Sequence, residues 1–169
     1  MSYPLESQLQ TYWCWAAVAA SVRAYFQPGS AVSQCQVASN TLDTYHPDFK
    51  DSGHDCCQDP GPCNIPYYLD LALTTLGHLN VVHPFPLSWN DVRFFIKRSD
   101  PVCALLESAA SGHYVVISNC FRAASGVEYL LVDDPGDRFL GAVQVRYETF
   151  LWDYQGNGYQ WTGTFLVQA

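Results

Sequence analysis

The sequence predicts a single α+β domain, in which a helical lobe over residues 1–99 packs against an antiparallel β lobe over residues 100–169. Alanine-rich and periodic apolar segments dominate the first lobe, whereas short β-branched and aromatic segments separated by turn residues dominate the second. The chain has 169 residues, of which 49% are hydrophobic and 15% aromatic, so it is expected to fold around one sizeable core.

Four helices are expected in the first lobe. The first is apolar and alanine-rich and stops at Pro28, the third ends at Gly77, and Ser88 marks the start of the fourth. The connection that carries His78 and His83, between the third and fourth helices, is expected to be rich in turns. The expected helices span residues 13–25, 33–42, 65–76 and 88–98.

Five strands are expected in the second lobe, because each candidate segment is short, rich in β-branched or aromatic residues and bounded by turn residues. They span residues 101–106, 113–120, 127–132, 142–147 and 160–167. Helices followed by strands with short connections predict an antiparallel sheet that packs against the helical lobe.

The stretch between residues 43 and 64 holds three cysteines and is too long for a structureless loop in a compact domain. A disulfide framework that ties this stretch to the second helix is the favoured interpretation. Reduced thiols, and a zinc site that also uses His46 and His54, are the alternatives. The expectation is therefore disulfides and no metal, with four candidate cysteines: Cys35, Cys56, Cys57 and Cys63.

The chain contains seven cysteines, an odd number for which three disulfides and one free thiol is a natural partition. Cys103 and Cys120 lie on predicted strands and are expected to be either buried thiols or a cross-strand pair. One further cysteine, Cys14, stands apart from the cysteine-rich stretch and remains available for chemistry.

Eight basic against sixteen acidic residues give a net charge of −8, which argues against a nucleic-acid backbone or an anionic membrane surface as the partner. No apolar stretch is long enough to span a membrane, and the longest candidate covers only residues 13–22. No basic segment precedes an apolar run at the start, so no signal peptide is expected.

Cys14 lies at the predicted start of the first helix, where the positive end of the helix dipole favours the thiolate over the thiol. A buried structural cysteine is the alternative. Gln8 lies six residues earlier and carries an amide donor that, with the Cys14 backbone N–H, could hold the oxyanion of a tetrahedral intermediate. Gln10 is close enough to compete for this role.

His113 is the favoured general base among the five histidines, because it opens the strongest predicted strand and a strand end can hold an imidazole rigidly. A hairpin centred between Ala123 and Ala124 pairs His113 with Asp134, which could then fix the imidazole tautomer. Asp133 is expected to point to the opposite face, unless a bulge shifts the register by one residue.

The sequence resembles the papain-like cysteine peptidases in Gln8 followed by Cys14-Trp15-Ala16, in Gly112-His113 and in Val132-Asp133-Asp134-Pro135. It is most similar to a bacterial branch that includes plant-pathogen effector proteases and, more distantly, the peptidase domains of bacteriocin-exporting ABC transporters. The likeness extends to Gln34-Cys35, Cys56-Cys57, Cys63-Asn64 and Trp161-Thr162, and so covers almost the whole chain.

The resemblance implies a papain-like fold with the active site in the cleft between the two lobes. It also implies that Cys14 is the nucleophile, His113 the base, Asp134 the orienting residue and Gln8 an oxyanion donor, with no cofactor. Two departures from the plant and lysosomal enzymes are Thr11 in place of a cysteine and an aspartate in place of an asparagine as third triad member.

These observations predict a monomeric cysteine endopeptidase that acts on a protein or peptide substrate. A deamidase, transglutaminase or acyltransferase that acts as a toxin or effector is the first alternative, since the same thiolate can attack a glutamine carboxamide. A non-catalytic cysteine-rich binding module is the second. Disulfides imply a secreted protein or one delivered to a target cell, and a cytoplasmic protein is the alternative because no signal peptide is visible.

Overall fold

A computed structural model of the chain describes residues 3–136 and 141–169. The α-helices are α1 (Cys14–Phe26), α2 (Gln34–Tyr45), α3 (Pro47–Lys50), α4 (Leu69–Thr75), α5 (Trp89–Lys97) and α6 (Tyr147–Trp152). The strands are β1 (Leu79–His83), β2 (Val102–Glu107), β3 (Gly112–Arg122), β4 (Glu128–Asp133), β5 (Val143–Arg146) and β6 (Gln160–Val167). One turn of 3₁₀-helix covers Pro28–Ser30. None of the helices in these ranges is long and apolar enough to cross a membrane.

The six strands form one antiparallel sheet in the order β1-β6-β2-β3-β4-β5. All five expected strands are present, and the one expected over 160–167 has the observed bounds. The fold class, helices packed against an antiparallel sheet, is therefore confirmed.

Several elements differ from the expectation. The connection between His78 and His83 forms β1, a strand that pairs with β6 at the edge of the sheet. Its five residues are too few to show a period in the sequence, and long-range pairing stabilises them. The expected strand over 142–147 ends at Arg146 because Tyr147 begins α6, a helix that the sequence did not indicate.

Helix α1 forms the centre of the core. Every residue from Cys14 to Val22 is buried, which is why the sequence is apolar on all sides of this helix. It packs on α2, α4 and one face of the sheet, where Val116 and Phe165 belong to the same apolar cluster.

The other face of the sheet is covered by α5 and α6. Val92 of α5 and Phe150 of α6 pack with Val115 and Ile117 of β3 in a second apolar cluster. Because Val115 and Val116 belong to different clusters, successive side chains of β3 enter opposite cores. Both faces of β3 are therefore buried at residues 115–117, close to His113.

The cysteine-rich stretch is held by two disulfides, Cys35–Cys57 and Cys56–Cys63. These join the four cysteines that the sequence predicted, and the pairing occupies the sulfurs that a zinc site would need. The first bridge attaches the stretch to α2, and the second closes a short loop within it.

The partition into three disulfides and one free thiol is wrong, because Cys14, Cys103 and Cys120 are all free. Cys103 lies opposite Val116 and Cys120 lies opposite Leu130, so the two strand cysteines face other residues and cannot form the cross-strand pair considered from the sequence.

The double variant Cys35→Ser/Cys57→Ser is expected to lower the free energy of unfolding by about 3 kcal/mol, because the bridge spans a sequence separation of 22 residues. Urea denaturation followed by tryptophan fluorescence measures the change. Cys120→Ser alters a free cysteine that is only half-buried and should cost less than about 1 kcal/mol. An unchanged midpoint in the double variant would show that other contacts hold the stretch in place.

Candidate active site

The Cys14 side chain lies at the N-terminal end of α1, where the sequence predicted it. It is the first residue of the helix, so its backbone N–H has no intrahelical acceptor, and the N-cap residue Trp13 makes no side-chain cap. A tight turn leads into the helix, in which the Trp13 N–H donates to the Gln10 carbonyl over 3.1 Å. The residue is only 9% exposed, and its thiol lies close enough to His113 to raise the pKa of that ring.

The tryptophans that flank Cys14 fix it to the cysteine-rich stretch. The Trp13 indole N–H donates to the Cys63 carbonyl over 2.8 Å, and the Trp15 indole N–H donates to the Ile65 carbonyl over 3.1 Å. The stretch that the disulfides hold is therefore a direct support for the start of α1.

A third contact extends this support to the turn before the helix. The Tyr12 N–H donates to the Asn64 side-chain carbonyl over 2.9 Å, and Asn64 directly follows the disulfide-bonded Cys63. Residues on both sides of Cys14 are thus bonded to residues 63–65, at or directly after the disulfide-bonded Cys63, which limits how far the thiol can move.

His113 and Asp134 form a buried pair on the sheet side of the site. His113 Nε2 lies 2.6 Å from Asp134 Oδ1, and the two side chains are 19% and 7% exposed. Since Nε2 is occupied by the carboxylate, Nδ1 is the ring nitrogen left for the Cys14 thiol. The structure therefore brings Cys14, His113 and Asp134 together, with a hydrogen bond between His113 and Asp134.

The strand register from which we predicted Asp134 as the partner of His113 was wrong. Asp134 is nevertheless the carboxylate that contacts His113. Near the turn, Cys120 pairs with Leu130, and the register then shifts between Ile117 and Asn119. Beyond this β-bulge Val116 pairs with Asp133, so Asp134 extends to the face that His113 shares. His113 and Asp134 are diagonal neighbours, within reach of each other's side chains.

Asp133, the alternative to Asp134, points to the other face. It is buried, and its Oδ2 has no hydrogen-bond partner among the described residues. Burial raises the pKa of this carboxyl, and a hydrogen bond from Ser118 only partly opposes the increase. Asp133 therefore does not orient His113.

Asp134 is held as a carboxylate by three donors. Its Oδ1 accepts from His113 and from the Gly136 N–H over 2.8 Å, and its Oδ2 accepts from the Tyr154 hydroxyl over 3.0 Å. Burial on its own raises the pKa of Asp134, but the hydrogen bond and positive charge of His113, with the other two donors, lower it overall.

The same pair stabilises the imidazolium form of His113. Burial on its own lowers the pKa of His113, but hydrogen bonds to Asp134 and Cys14 outweigh it and raise the pKa from 6.5 to about 10. An imidazolium beside a cysteine favours the thiolate, which is the nucleophilic form. The site is thus arranged to keep His113 charged at neutral pH.

Gln8 lies at the entrance to this site, and its backbone N–H donates to the Pro135 carbonyl over 2.8 Å. Its amide Nε2 donates to the carbonyls of Gln10 and Thr11 over 3.0 and 2.6 Å. Both amide hydrogens are therefore engaged by the turn before α1. The Oε1 atom is buried and has no partner within the described part of the chain.

The other four histidines have contacts away from Cys14. His54 Nε2 lies 2.9 Å from the Asp59 carbonyl, and His78 Nδ1 lies 2.8 Å from the Gln168 carbonyl. His46 and His83 contact aromatic rings, those of Phe49 and Phe85 among them.

Sequence reasoning missed two residues that contact the His113–Asp134 pair. No local pattern links Tyr154 to a carboxylate 20 residues away. Gly136 is the second. A Cβ atom at Gly136 would lie 3.2 Å from both Asp134 Oδ1 and His113 Cε1, so a side chain here would collide with the pair.

The family model described as "Papain-like cysteine protease AvrRpt2" matches residues 1–138, which include Cys14, His113 and Asp134. The chain belongs to this family. The protease is similar in fold to bromelain from Ananas comosus, solved in complex with the E64 inhibitor, with a TM-score of 0.54 and 11% identity over 99% of this chain and 94% of that one. No curated protein sequence matches the chain. The family and the fold make the chain a papain-like cysteine protease, a hydrolase with endopeptidase activity.

The protease is expected to keep a protonated His113 above neutral pH, since the pKa of this ring is raised to about 10. NMR of the ¹⁵N-labelled rings should show His113 charged at about pH 8, and Asp134→Asn should lower its midpoint by at least about one unit. By linkage, the stability that this proton contributes is fully present below pH 6.5 and is lost as the pH rises through about 10. A neutral His113 at about pH 8 in the wild type would contradict the assignment.

Gly136→Ala is expected to reduce kcat by about 10- to 100-fold, because the new methyl group must displace His113 or Asp134. Peptide-cleavage kinetics measure the change. Gly29→Ala is the matched control, since a Cβ at that position meets no atom within 4 Å, and it should leave kcat unchanged. Equal activity of both variants would show that the pair tolerates displacement.

Proposed function

We propose that Cys14 and His113 are the catalytic pair of this protease, with Asp134 as the third triad member. The 2.6 Å bond from His113 Nε2 to Asp134 Oδ1 carries the proposal, because it presents the remaining ring nitrogen to the thiol at the start of α1. The raised pKa of His113 and the lowered pKa of Asp134 support the same charge distribution.

In this mechanism the Cys14 thiolate attacks the scissile carbonyl carbon and forms a C–S bond. His113 then donates its proton to the leaving amine as the C–N bond breaks, which leaves a thioester acyl-enzyme. The neutral imidazole next accepts a proton from water as the hydroxide attacks the thioester. Breaking the C–S bond releases the new carboxyl group and restores the thiolate–imidazolium pair.

The oxyanion formed in each step needs two donors. The Cys14 backbone N–H is one candidate, since its position at the helix N-terminus leaves it without an intrahelical acceptor. The Gln8 amide is the other. To donate to the oxyanion, one Gln8 hydrogen must leave the carbonyl of Gln10 or Thr11, so substrate binding is accompanied by a small rotation of this side chain.

The substrate is a protein, as the family implies, and exposed apolar residues around Cys14 are proposed to contact it. Tyr12, next to the helix start, is 49% exposed, and Tyr68 is 63% exposed. The neighbouring Tyr67 packs against Trp15 at 5.6 Å, which places this aromatic group beside the helix that carries the nucleophile.

The protease is proposed to act as a monomer, without nucleic acid or membrane as a partner, in keeping with its net charge of −8. It is proposed to be secreted or delivered to a target cell, where it acts as an effector. The two disulfides support this location because they persist in oxidising surroundings. A cytoplasmic protein would contain these four cysteines as thiols.

The proposed pair is tested by incubating the protease with an unfolded protein such as casein and identifying new N-termini by mass spectrometry. Cys14→Ala and His113→Ala are expected to reduce cleavage to background, whereas Cys120→Ala should retain it because Cys120 lies on β3 away from the site. Iodoacetamide should label Cys14 rapidly below about pH 8, and His113→Ala should abolish this rapid labelling.

Three results would contradict the proposal. Ammonia release without new N-termini would indicate a deamidase, and transfer of an amine to glutamine would indicate a transglutaminase. Full cleavage by Cys14→Ala would show that the nucleophile lies elsewhere.

A further inference from the structure

We propose that Tyr154 is a positioning residue for the cleavage reaction, acting through Asp134. Its hydroxyl donates to Asp134 Oδ2 over 3.0 Å, on the carboxylate oxygen that His113 does not use. This inference rests on the proposed triad, because Tyr154 reaches the reacting atoms only through Asp134 and His113.

The position of the Tyr154 hydroxyl is fixed by packing on several sides. The residue is only 2% exposed, and its ring packs edge-on against Phe150 at 5.4 Å, which itself packs against Trp161 at 5.3 Å. These three aromatic residues belong to the cluster under α6. The ring cannot turn away from Asp134 without opening this cluster.

The backbone of Tyr154 is fixed as well. It forms an isolated antiparallel bridge with Tyr159, in which the Tyr154 N–H donates to the Tyr159 carbonyl over 2.9 Å. The intervening turn has left-handed backbone at Gln155, Gly156 and Gly158. The bridge therefore joins Tyr154 to the segment that enters β6, which is a central strand of the sheet.

A second donor sets the direction of the hydroxyl. Gln155 Nε2 donates to the Tyr154 oxygen over 3.0 Å, and a phenol has a single hydrogen, which is then directed to Asp134. The result is an ordered series from Gln155 through Tyr154 to Asp134 and His113. Each donor in such a series polarises the next bond.

The consequence for the reaction is twofold. The Tyr154 bond fixes the plane of the Asp134 carboxylate, so that Oδ1 stays directed at His113 Nε2. It also stabilises the negative charge of Asp134, which in turn stabilises the imidazolium of His113. Loss of the hydroxyl would leave Oδ2 without this donor in a nearly buried position.

Tyr154→Phe tests the inference because it removes one oxygen and keeps the ring. The pKa of Asp134 should rise, and the His113 midpoint should fall by about one unit from its value of about 10. We expect kcat to decrease about tenfold while KM changes by less than about twofold, since Tyr154 is only 2% exposed and has little surface to offer a substrate. The His113 midpoint is measured by NMR of the ¹⁵N-labelled ring, and the kinetics by peptide cleavage.

Tyr147→Phe is the matched control. Tyr147 is half-buried and donates its hydroxyl hydrogen to the Leu87 carbonyl over 2.8 Å, and within the described part of the chain it does not contact the triad. Tyr147→Phe should lower the free energy of unfolding by an amount similar to that for Tyr154→Phe. It should leave both the His113 midpoint and kcat unchanged. An equal effect of the two substitutions would overturn the inference, because it would indicate general loosening of the fold.

Near-ultraviolet circular dichroism checks whether Tyr154→Phe folds. If it does not, Gln155→Ala provides a second test of the inference. Gln155 is exposed, so its truncation should preserve the fold and lower the His113 midpoint in the same direction by a smaller amount. An unchanged midpoint in the folded variant, whether Tyr154→Phe or Gln155→Ala, overturns the inference. The NMR midpoint does not depend on activity, so it still decides the role of Tyr154 if Cys14→Ala disproves the proposed nucleophile.

Discussion

The β-bulge in β3, between Ile117 and Asn119, determines which carboxylate faces His113. Strand β3 contributes one more residue than β4 at this point, so the pairing of β3 with β4 is shifted by one residue beyond the bulge. With the register that holds nearer the turn, Asp133 would share the face of His113. The shift by one residue instead places Asp134 there, against Tyr154 and Gly136.

The helical side and the sheet side of the site are joined by hydrogen bonding close to Cys14 and Asp134. The Gln8 N–H to Pro135 carbonyl bond connects the turn before Cys14 to the residue after Asp134. On the other side, the buried Gln34 side chain bonds the Ser7 carbonyl and the Leu9 N–H, both over 2.9 Å. Gln34 directly precedes the disulfide-bonded Cys35, so the covalent bridge supports the Gln8 segment through α2.

The residue types of the site could be predicted from the sequence, whereas its geometry depends on contacts that no local pattern records. Cys14 was predictable because a helix start is visible in sequence, and His113 because it opens a β-branched strand. The register between β3 and β4 could not be predicted, since a bulge leaves no periodic signal in the sequence at Ser118. Strand β1 and the Tyr154–Asp134 bond were missed for a related reason, because both depend on partners distant in sequence.

The adjacent carboxyl groups of Asp133 and Asp134 have pKa values that their surroundings shift in opposite directions. Both are buried, and burial alone raises the pKa of each. Asp133 faces the α1 side, and its Oδ2 has no partner among the described residues, so its pKa is raised. Asp134 gains an imidazolium and two further donors, which more than offset the cost of burying its charge. The bulge thus places neighbouring carboxyl groups in surroundings that shift their pKa values in opposite directions, and Asp134 is the one on the His113 face.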